Sequence, residues 1–203
     1  MAVVSMGAKR RIWLIGLAAL VLCFAFFLQL IVLNLIHVEG AALCSVPLMV
    51  TIVWGAVFGS PLQLPRAEEL RHVPLSQVVA IQILSGSLSG ALVGAFFGAL
   101  YGSSLPVFPY CYPIIGWMAG YFPLRSINQG ILLIVPLVLL LSVLAETIMA
   151  GQLHLMGRPL VFSHLAQVAI PEAVANALIS PFVFYPMRAW YEFIKAPARA
   201  AQQ

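Results

Sequence analysis

The chain has 203 residues, of which 63% are hydrophobic and only 8% are charged, whereas charged residues make up about a quarter of an ordinary soluble domain. Its mean hydropathy is +1.04, and several apolar segments approach the roughly 20 residues that a helix needs to cross a bilayer. This composition excludes a typical soluble domain and predicts an integral membrane protein. The net charge of +4 comes from Lys and Arg residues scattered beside apolar segments, which argues against a nucleic-acid partner.

The apolar segments predict a single domain, an all-α polytopic bundle of about six transmembrane helices. The expected spans are about residues 12–36, 41–58, 77–101, 107–122, 130–150 and 171–187, with residues 188–203 as a short cytoplasmic tail. Proline is well tolerated at the first position of a helix, and a carboxylate is favoured in the first turn. Pro171 and Glu172 are therefore expected to begin the membrane-crossing part of the sixth span, with residues 160–170 as an interfacial approach.

The basic residues predict the orientation of these spans. If the amino terminus is cytoplasmic, nine of the ten Lys and Arg residues fall in cytoplasmic segments and only Arg158 lies on the opposite side. Cytoplasmic loops of membrane proteins carry such an excess of positive charge. We therefore expect an even number of spans and a cytoplasmic location for both termini.

The third predicted span contains the segment "GSLSGALVGAFFGALYG", in which every fourth residue is glycine. This glycine ladder consists of Gly86, Gly90, Gly94, Gly98 and Gly102. A glycine inside a helix costs roughly 0.8–1 kcal/mol relative to alanine, but small residues four apart allow membrane helices to approach closely. The segment "GWMAG" in the fourth span, with Gly116 and Gly120, offers a complementary surface. We expect spans three and four to pack together, and a helix of a partner protein is the alternative.

Polar residues within the spans are costly in lipid and therefore informative. Glu146 lies late in the fifth span, where it is expected to face headgroups and water, or alternatively to contact another helix or a partner. Glu172 and Asn176 are four residues apart and share one helix face. Because neutral amides form hydrogen bonds between membrane helices worth roughly 0.6–2 kcal/mol, a structural contact is favoured here over a substrate site.

The chain offers little for catalysis or metal binding. Three dispersed cysteines give neither a disulfide framework nor a zinc pattern, and the four histidines lack metal-ligand spacing. Aspartate is absent, so a Ser-His-Asp triad cannot form. Ser87 in "SLSG" only approaches the nucleophile turn of rhomboid-type intramembrane proteases, and His164 lies at the membrane edge. No catalytic, cofactor-binding or metal-binding residue is therefore expected.

The order of these features resembles the MreD family, multi-pass membrane subunits of the bacterial rod-shape machinery. The resemblance covers about residues 12–190 and rests on the glycine-rich third span, on "YGSSLPVFPYCYPIIGWMAGYF" and on "PEAVANALISPFVFYPM". The residues that correspond to family positions are Gly94, Gly98, Gly116, Gly120, Pro171 and Asn176.

This resemblance implies a non-enzymatic scaffold of cell elongation in the lipid bilayer of the bacterial cytoplasmic membrane. The implied partners are an MreC-like bitopic protein and, through it, MreB and the RodA/transpeptidase pair; a second copy of the chain is a further candidate. The family fold is similar to that of the substrate-binding subunits of energy-coupling-factor vitamin transporters, which supplies the alternative function. The short outer loop at residues 37–40 and the few polar residues in the outer halves of the spans favour the scaffold.

Overall fold

The computed structural model describes residues 20–28 except 22 and 26, 37–38, 41–42, 44–59, 88–102, 106–122, 124, 127–157 and 161–200. Within these residues the protein is a helical bundle, so the all-α prediction is confirmed for this part of the chain. The helices are α1 (Val46–Phe58), α2 (Leu88–Tyr101), α3 (Phe108–Ala119), α4 (Ile127–Leu155) and α5 (Val161–Ala200). The described residues between 20 and 28 are helical as well.

A very short antiparallel ladder precedes α1. Strand β1 (His37–Val38) pairs with strand β2 (Ala41–Ala42), so that the chain reverses direction where the sequence predicted a turn. The second span was predicted to begin at about residue 41; in the structure Ala41–Ala42 is extended and α1 begins at Val46. The extended backbone of Ser45 precedes the helix, and a proline follows within its first two positions, where a missing N–H costs no intrahelical hydrogen bond.

Helix α1 lies at the centre of the bundle. Every residue from Val46 to Val57 is buried, and α1 contacts each of the other four helices. A helix that is apolar on all sides can be stable only when neighbours or lipid surround it completely. The fully buried side chains of Leu48, Ile52 and Val53 therefore form the middle of the core.

Successive helices alternate in direction. The Ser89 hydroxyl at the start of α2 donates a hydrogen bond to the Phe58 carbonyl at the end of α1, at 3.4 Å. The Leu124 N–H, which follows α3, donates to the Ala56 carbonyl at 3.0 Å, so α3 ends beside the end of α1. Helices α1 and α3 thus run in one direction and α2 in the opposite one. Helix α5 runs parallel to α1, because Asn176 meets Ser45 before α1 and Trp190 meets Phe58 at its end. Helix α4 is antiparallel to α5, because Ser142 meets Asn176 and Gly130 lies against Phe184. Successive helices of a chain that crosses one layer several times alternate in direction in this way.

Helix α4 contains the predicted fifth span and extends beyond it at both ends. Its segment Gly130–Leu155 is long and apolar enough to cross a membrane, and only 28% of its most apolar window is buried inside the protein. Among the described residues it is the one helix that meets both criteria. The shorter apolar helices α1 and α2 have 13 and 14 residues.

Helix α5 is continuous over 40 residues. No helix begins at Pro171 and Glu172, because both residues lie well inside α5, which starts at Val161; that they begin the membrane-crossing part of the sixth span stays a prediction. An interior proline costs about 3 kcal/mol in an isolated helix, and the packing of α5 along α4 and α1 offsets that cost. Residues 188–200 of the predicted tail continue the same helix.

Several predicted features lie outside the described residues. They are most of the first span (residues 12–36), residues 77–87 of the third span with Gly86 and Ser87, and the His164 side chain.

Candidate functional site

The described part of the glycine ladder faces helix α3. Gly90, Gly94 and Gly98 are buried, and a Cβ on Gly94 would stand 2.6 Å from the carbonyl carbon of Tyr112. A Cβ on Gly98 would stand 2.7 Å from the carbonyl oxygen of Phe108. Real Cβ atoms essentially never come within 3.0 Å of such atoms, so these positions accept only glycine unless the helices move apart.

Three helices meet where the ladder approaches "GWMAG". The carbonyl oxygen of Gly116 occupies the place where a Cβ on Gly90 would stand, and the carbonyl oxygen of Gly90 does the same for Gly116. The Cα of Gly55 lies 2.9 Å from the Cβ position of Gly90. We call Gly55, Gly90 and Gly116 the glycine junction, because they bring the backbones of α1, α2 and α3 into direct contact.

The sequence-based reasoning missed the contribution of α1 to this junction. A Cβ on Gly55 would meet the Gly116 carbonyl oxygen at 2.7 Å, and a Cβ on Gly59 would meet the Cα of Gly120 at 2.6 Å. The signal was present as "GAVFG", two glycines four residues apart in the second span.

Gly102, the last member of the ladder, is less constrained. A Cβ on Gly102 would meet mainly the side chain of Pro109, at 2.8 Å. Gly102 is half-buried, whereas Gly90, Gly94 and Gly98 are fully buried. The described ladder is thus filled by the chain's own helices, which corresponds to the internal packing favoured by the sequence.

A cluster of polar side chains lies beside the start of α1, whereas the glycine junction lies near the end of α1. Asn176 on α5 is 0% exposed; its Oδ1 accepts a hydrogen bond from the Ser45 N–H at 2.9 Å, and its Nδ2 donates to the Ser142 Oγ at 3.4 Å. The hydroxyl groups of Ser45 and Tyr112 are hydrogen-bonded at 3.2 Å. We call Ser45, Tyr112, Ser142 and Asn176 the polar cluster; it joins α3, α4 and α5 to the segment that enters α1.

Two glutamates extend the polar cluster. Glu172 lies one helical turn before Asn176 on α5 and interacts electrostatically with Glu146 on α4, and both glutamates are half-buried. Both alternatives for Glu146, a position that faces headgroups and water or a contact with another helix or a partner, stay predictions. Pro171, next to Glu172, is exposed on α5 and takes no part in the cluster.

Cysteine thiols also lie near this end, but the described residues form no metal centre. Cys44 and Cys111 are buried free thiols, and the Cys111 thiol donates to the Ala145 carbonyl at 3.5 Å. Within the described ranges, no group of three or more His, Cys, Asp or Glu side chains could hold a metal ion. What this site offers is a set of hydrogen bonds that fix helix positions, together with one pair of carboxyl groups.

Aromatic side chains connect α1 and α5 at the other end of the bundle. The Trp190 ring packs edge-on against Trp54 at 5.6 Å and against Phe58 at 5.5 Å between centroids. The Arg188 guanidinium, which is buried and ion-paired with Glu192, lies 4.8 Å from the centroid of the Tyr191 ring. This aromatic cluster (Trp54, Phe58, Trp190 and Tyr191) packs the carboxyl-terminal part of α5 against the end of α1.

Comparison with known proteins gives no further identification. A scan against protein-family models, a search of curated proteins and a search of solved structures each found no match for this chain.

Proposed function

We propose that the protein is a non-enzymatic, multi-pass membrane scaffold of the bacterial cell-elongation complex, the function implied by its resemblance to the MreD family. It would hold an MreC-like bitopic protein in the cytoplasmic membrane and, through it, MreB and the RodA/transpeptidase pair. The observation that carries the proposal is that the side chains of the polar cluster form hydrogen bonds with groups of the chain itself. Asn176 bonds to Ser142 and to the Ser45 backbone, whereas a ligand-binding subunit needs polar groups directed at its ligand.

The exposed surface supports the same proposal. Large apolar side chains point away from the bundle along α4 and α5, including Leu132, Leu140, Leu178 and Phe182, which are 77%, 65%, 66% and 81% exposed. Such surfaces suit lipid or the transmembrane helix of a partner. Because the glycine faces are occupied internally, we expect partners to bind at these larger apolar side chains.

The proposed topology has about six spans with both termini in the cytoplasm. Its support is the membrane-crossing length of Gly130–Leu155 and the alternating direction of the helices. Single cysteines introduced at the amino terminus, at Gly157 and at the carboxyl terminus of a cysteine-free variant would be labelled in intact cells with a reagent that does not cross the membrane. We expect labelling at Gly157 alone, and labelling at either terminus would contradict this topology.

Depletion and co-purification test the scaffold itself. We expect rod-shaped cells to become round when the protein is depleted, and the tagged protein to retain an MreC-like protein in mild detergent. Gly98→Leu places a side chain against the Phe108 backbone and should reduce partner retention, whereas Gly151→Leu enters open space and serves as the matched control. Normal cell shape after depletion, together with no retained bitopic partner, would refute the proposal.

One observation favours the alternative, a substrate-binding subunit of an energy-coupling-factor-type vitamin transporter. The polar cluster lies at a single end of the bundle, next to the start of α1, and the distribution of basic residues assigns that end to the outside. A vitamin detected by mass spectrometry in the purified protein would favour this alternative. An MreC-like protein in the same sample would favour the scaffold.

A further inference from the structure

Helix α3 presents a short outward surface that has aromatic side chains at both ends. Tyr110, near its start, is 65% exposed, and Ile114, one turn further, is 42% exposed. Trp117 and Tyr121 continue this surface at helical spacing, and the rings of these two residues pack together at 5.1 Å between centroids. We call Tyr110, Ile114, Trp117 and Tyr121 the α3 face. Tyrosine and tryptophan are enriched at both interfaces of a membrane, so the two ends of the α3 face have the composition of an outer and an inner interface.

The α3 face is shorter than an ordinary bilayer is thick. Helix α3 has 12 residues, which gives it a length of about 18 Å. Tyr110 and Tyr121 are separated by a similar distance along the chain, whereas the hydrocarbon core of a bilayer is about 30 Å thick. A tilt of the helix reduces the thickness that it spans and so cannot remove this difference.

The helix behind α3 is equally short. Helix α1 has 13 residues, which correspond to about 20 Å. Its start lies beside α3, where the Ser45 and Tyr112 hydroxyl groups are 3.2 Å apart, and its end lies beside the end of α3, where the Leu124 N–H donates to the Ala56 carbonyl at 3.0 Å. Helix α1 therefore does not extend the bundle beyond α3 at either end.

Helix α4 differs from α3 in this respect. Its segment Gly130–Leu155 has 26 residues and is long enough to cross a membrane. Exposed leucines such as Leu132 and Leu140 lie along it. The bundle thus presents helices of very different length to the lipid around it.

A bilayer adapts to a short apolar surface by becoming thinner next to it. We propose that the α3 face lies against a locally thinned bilayer, so that phospholipids with short acyl chains bind there in preference to lipids with longer chains. Lipid beside α4 has no such preference, because α4 matches a bilayer of ordinary thickness. This inference rests on the multi-pass topology proposed above, and it identifies the side of the protein on which the bilayer is deformed.

Quenching of tryptophan fluorescence by brominated lipid measures which acyl chains contact the α3 face. The full-length variant Trp13→Phe, Trp54→Phe, Trp190→Phe retains Trp117 as its single tryptophan. It is reconstituted with brominated dioleoyl phosphatidylcholine, and unbrominated dimyristoleoyl, dioleoyl or dierucoyl phosphatidylcholine competes with the quencher. We expect the short dimyristoleoyl lipid to bind at Trp117 several-fold more strongly than the dioleoyl lipid, and the long dierucoyl lipid to bind most weakly.

The matched control places the tryptophan on α4. The variant Leu140→Trp, with all four native tryptophans replaced by phenylalanine, reports on a side chain that is 65% exposed, and we expect no preference for the short lipid there. An equal preference at the two positions, or a preference for dioleoyl lipid at Trp117, overturns the proposal. Quenching on α4 but not at Trp117 would show that protein covers the α3 face and also overturns it. Quenching at neither position would contradict the multi-pass topology as well.

A second test leaves every tryptophan in place. The double variant Tyr110→Leu, Tyr121→Leu removes the polar groups at both ends of the α3 face and so lengthens its apolar part. Relative to the wild type, its melting temperature in dioleoyl bilayers should rise by several degrees against that in dimyristoleoyl bilayers. Tyr185→Leu on α5, where the side chain is 59% exposed, is the control and should leave this difference unchanged. An equal change in both variants, or no change in the double variant, overturns the proposal.

Discussion

Gly90 and Gly116 exclude each other's side chains: the carbonyl oxygen of each residue occupies the place where a Cβ on the other would stand. Two helix backbones can approach so closely only when both residues lack a Cβ, and such contacts bring Cα–H groups against carbonyl oxygens. Gly55 of α1 adds a third backbone at the same point. The glycines that weaken α2 as an isolated helix therefore stabilise it in the bundle.

The first prediction concerns Gly116→Ala. The new Cβ meets the Gly90 backbone and the Thr51 methyl group, and we expect the overpacked site to lose about 1–3 kcal/mol of stability. Unfolding of the purified protein in detergent, followed by circular dichroism, measures this loss.

Gly151→Ala is the matched control for this substitution. Gly151 also lies inside a helix, but a Cβ there meets nothing within 4 Å. Alanine should therefore leave stability unchanged or raise it by up to about 1 kcal/mol through its higher helix propensity. Equal losses in the two variants would show that backbone contact at the junction contributes nothing.

A second prediction compares two positions of the ladder. Gly94→Ala directs its Cβ at the Tyr112 backbone, whereas Gly102→Ala directs it mainly at the side chain of Pro109. A side chain yields more easily than a helix backbone, so we expect Gly94→Ala to lower the melting temperature clearly more than Gly102→Ala does. A larger effect at Gly102 would contradict the packing described for α2 and α3.

The third prediction concerns the centre of the polar cluster. Asn176→Ala removes the acceptor of the buried Ser45 N–H, and leaving that donor unpaired should cost about 1–3 kcal/mol. Ser142→Ala removes a longer hydrogen bond of 3.4 Å and should cost less. Chemical unfolding of both variants in the same detergent gives the comparison, and a larger loss for Ser142→Ala would contradict this assignment.

The fourth prediction concerns the aromatic cluster. Trp190→Ala removes ring contacts to Trp54 and Phe58, and we expect a loss of about 2 kcal/mol, below the range for a fully buried tryptophan because Trp190 is half-buried. Phe182→Ala on the same helix is the control, since that side chain is 81% exposed. The melting temperature of Phe182→Ala in detergent should stay close to that of the wild type. Equal losses in the two variants would show that the Trp190 ring does not stabilise the contact between α5 and α1.

The sequence pattern that marks the start of a helix was misleading within α5. Pro171 followed by Glu172 has the sequence of a helix start, yet both residues lie inside a helix of 40 residues. The rule describes a helix on its own, whereas α5 packs along α4 and α1. Those contacts, and the hydrogen bonds of Asn176 to Ser45 and Ser142, provide the energy that keeps the helix continuous through its prolines.

The sequence by itself determined the properties that depend on composition and on short-range spacing. The scarcity of charge predicted a helical, apolar protein, and the four-residue spacing of glycine predicted close packing of α2 against α3. Only the tertiary structure decided which groups meet across the bundle. The third backbone at the glycine junction comes from Gly55, and the partners of Asn176 are the Ser45 N–H and the Ser142 hydroxyl, because the relative register of two helices depends on packing over their whole length.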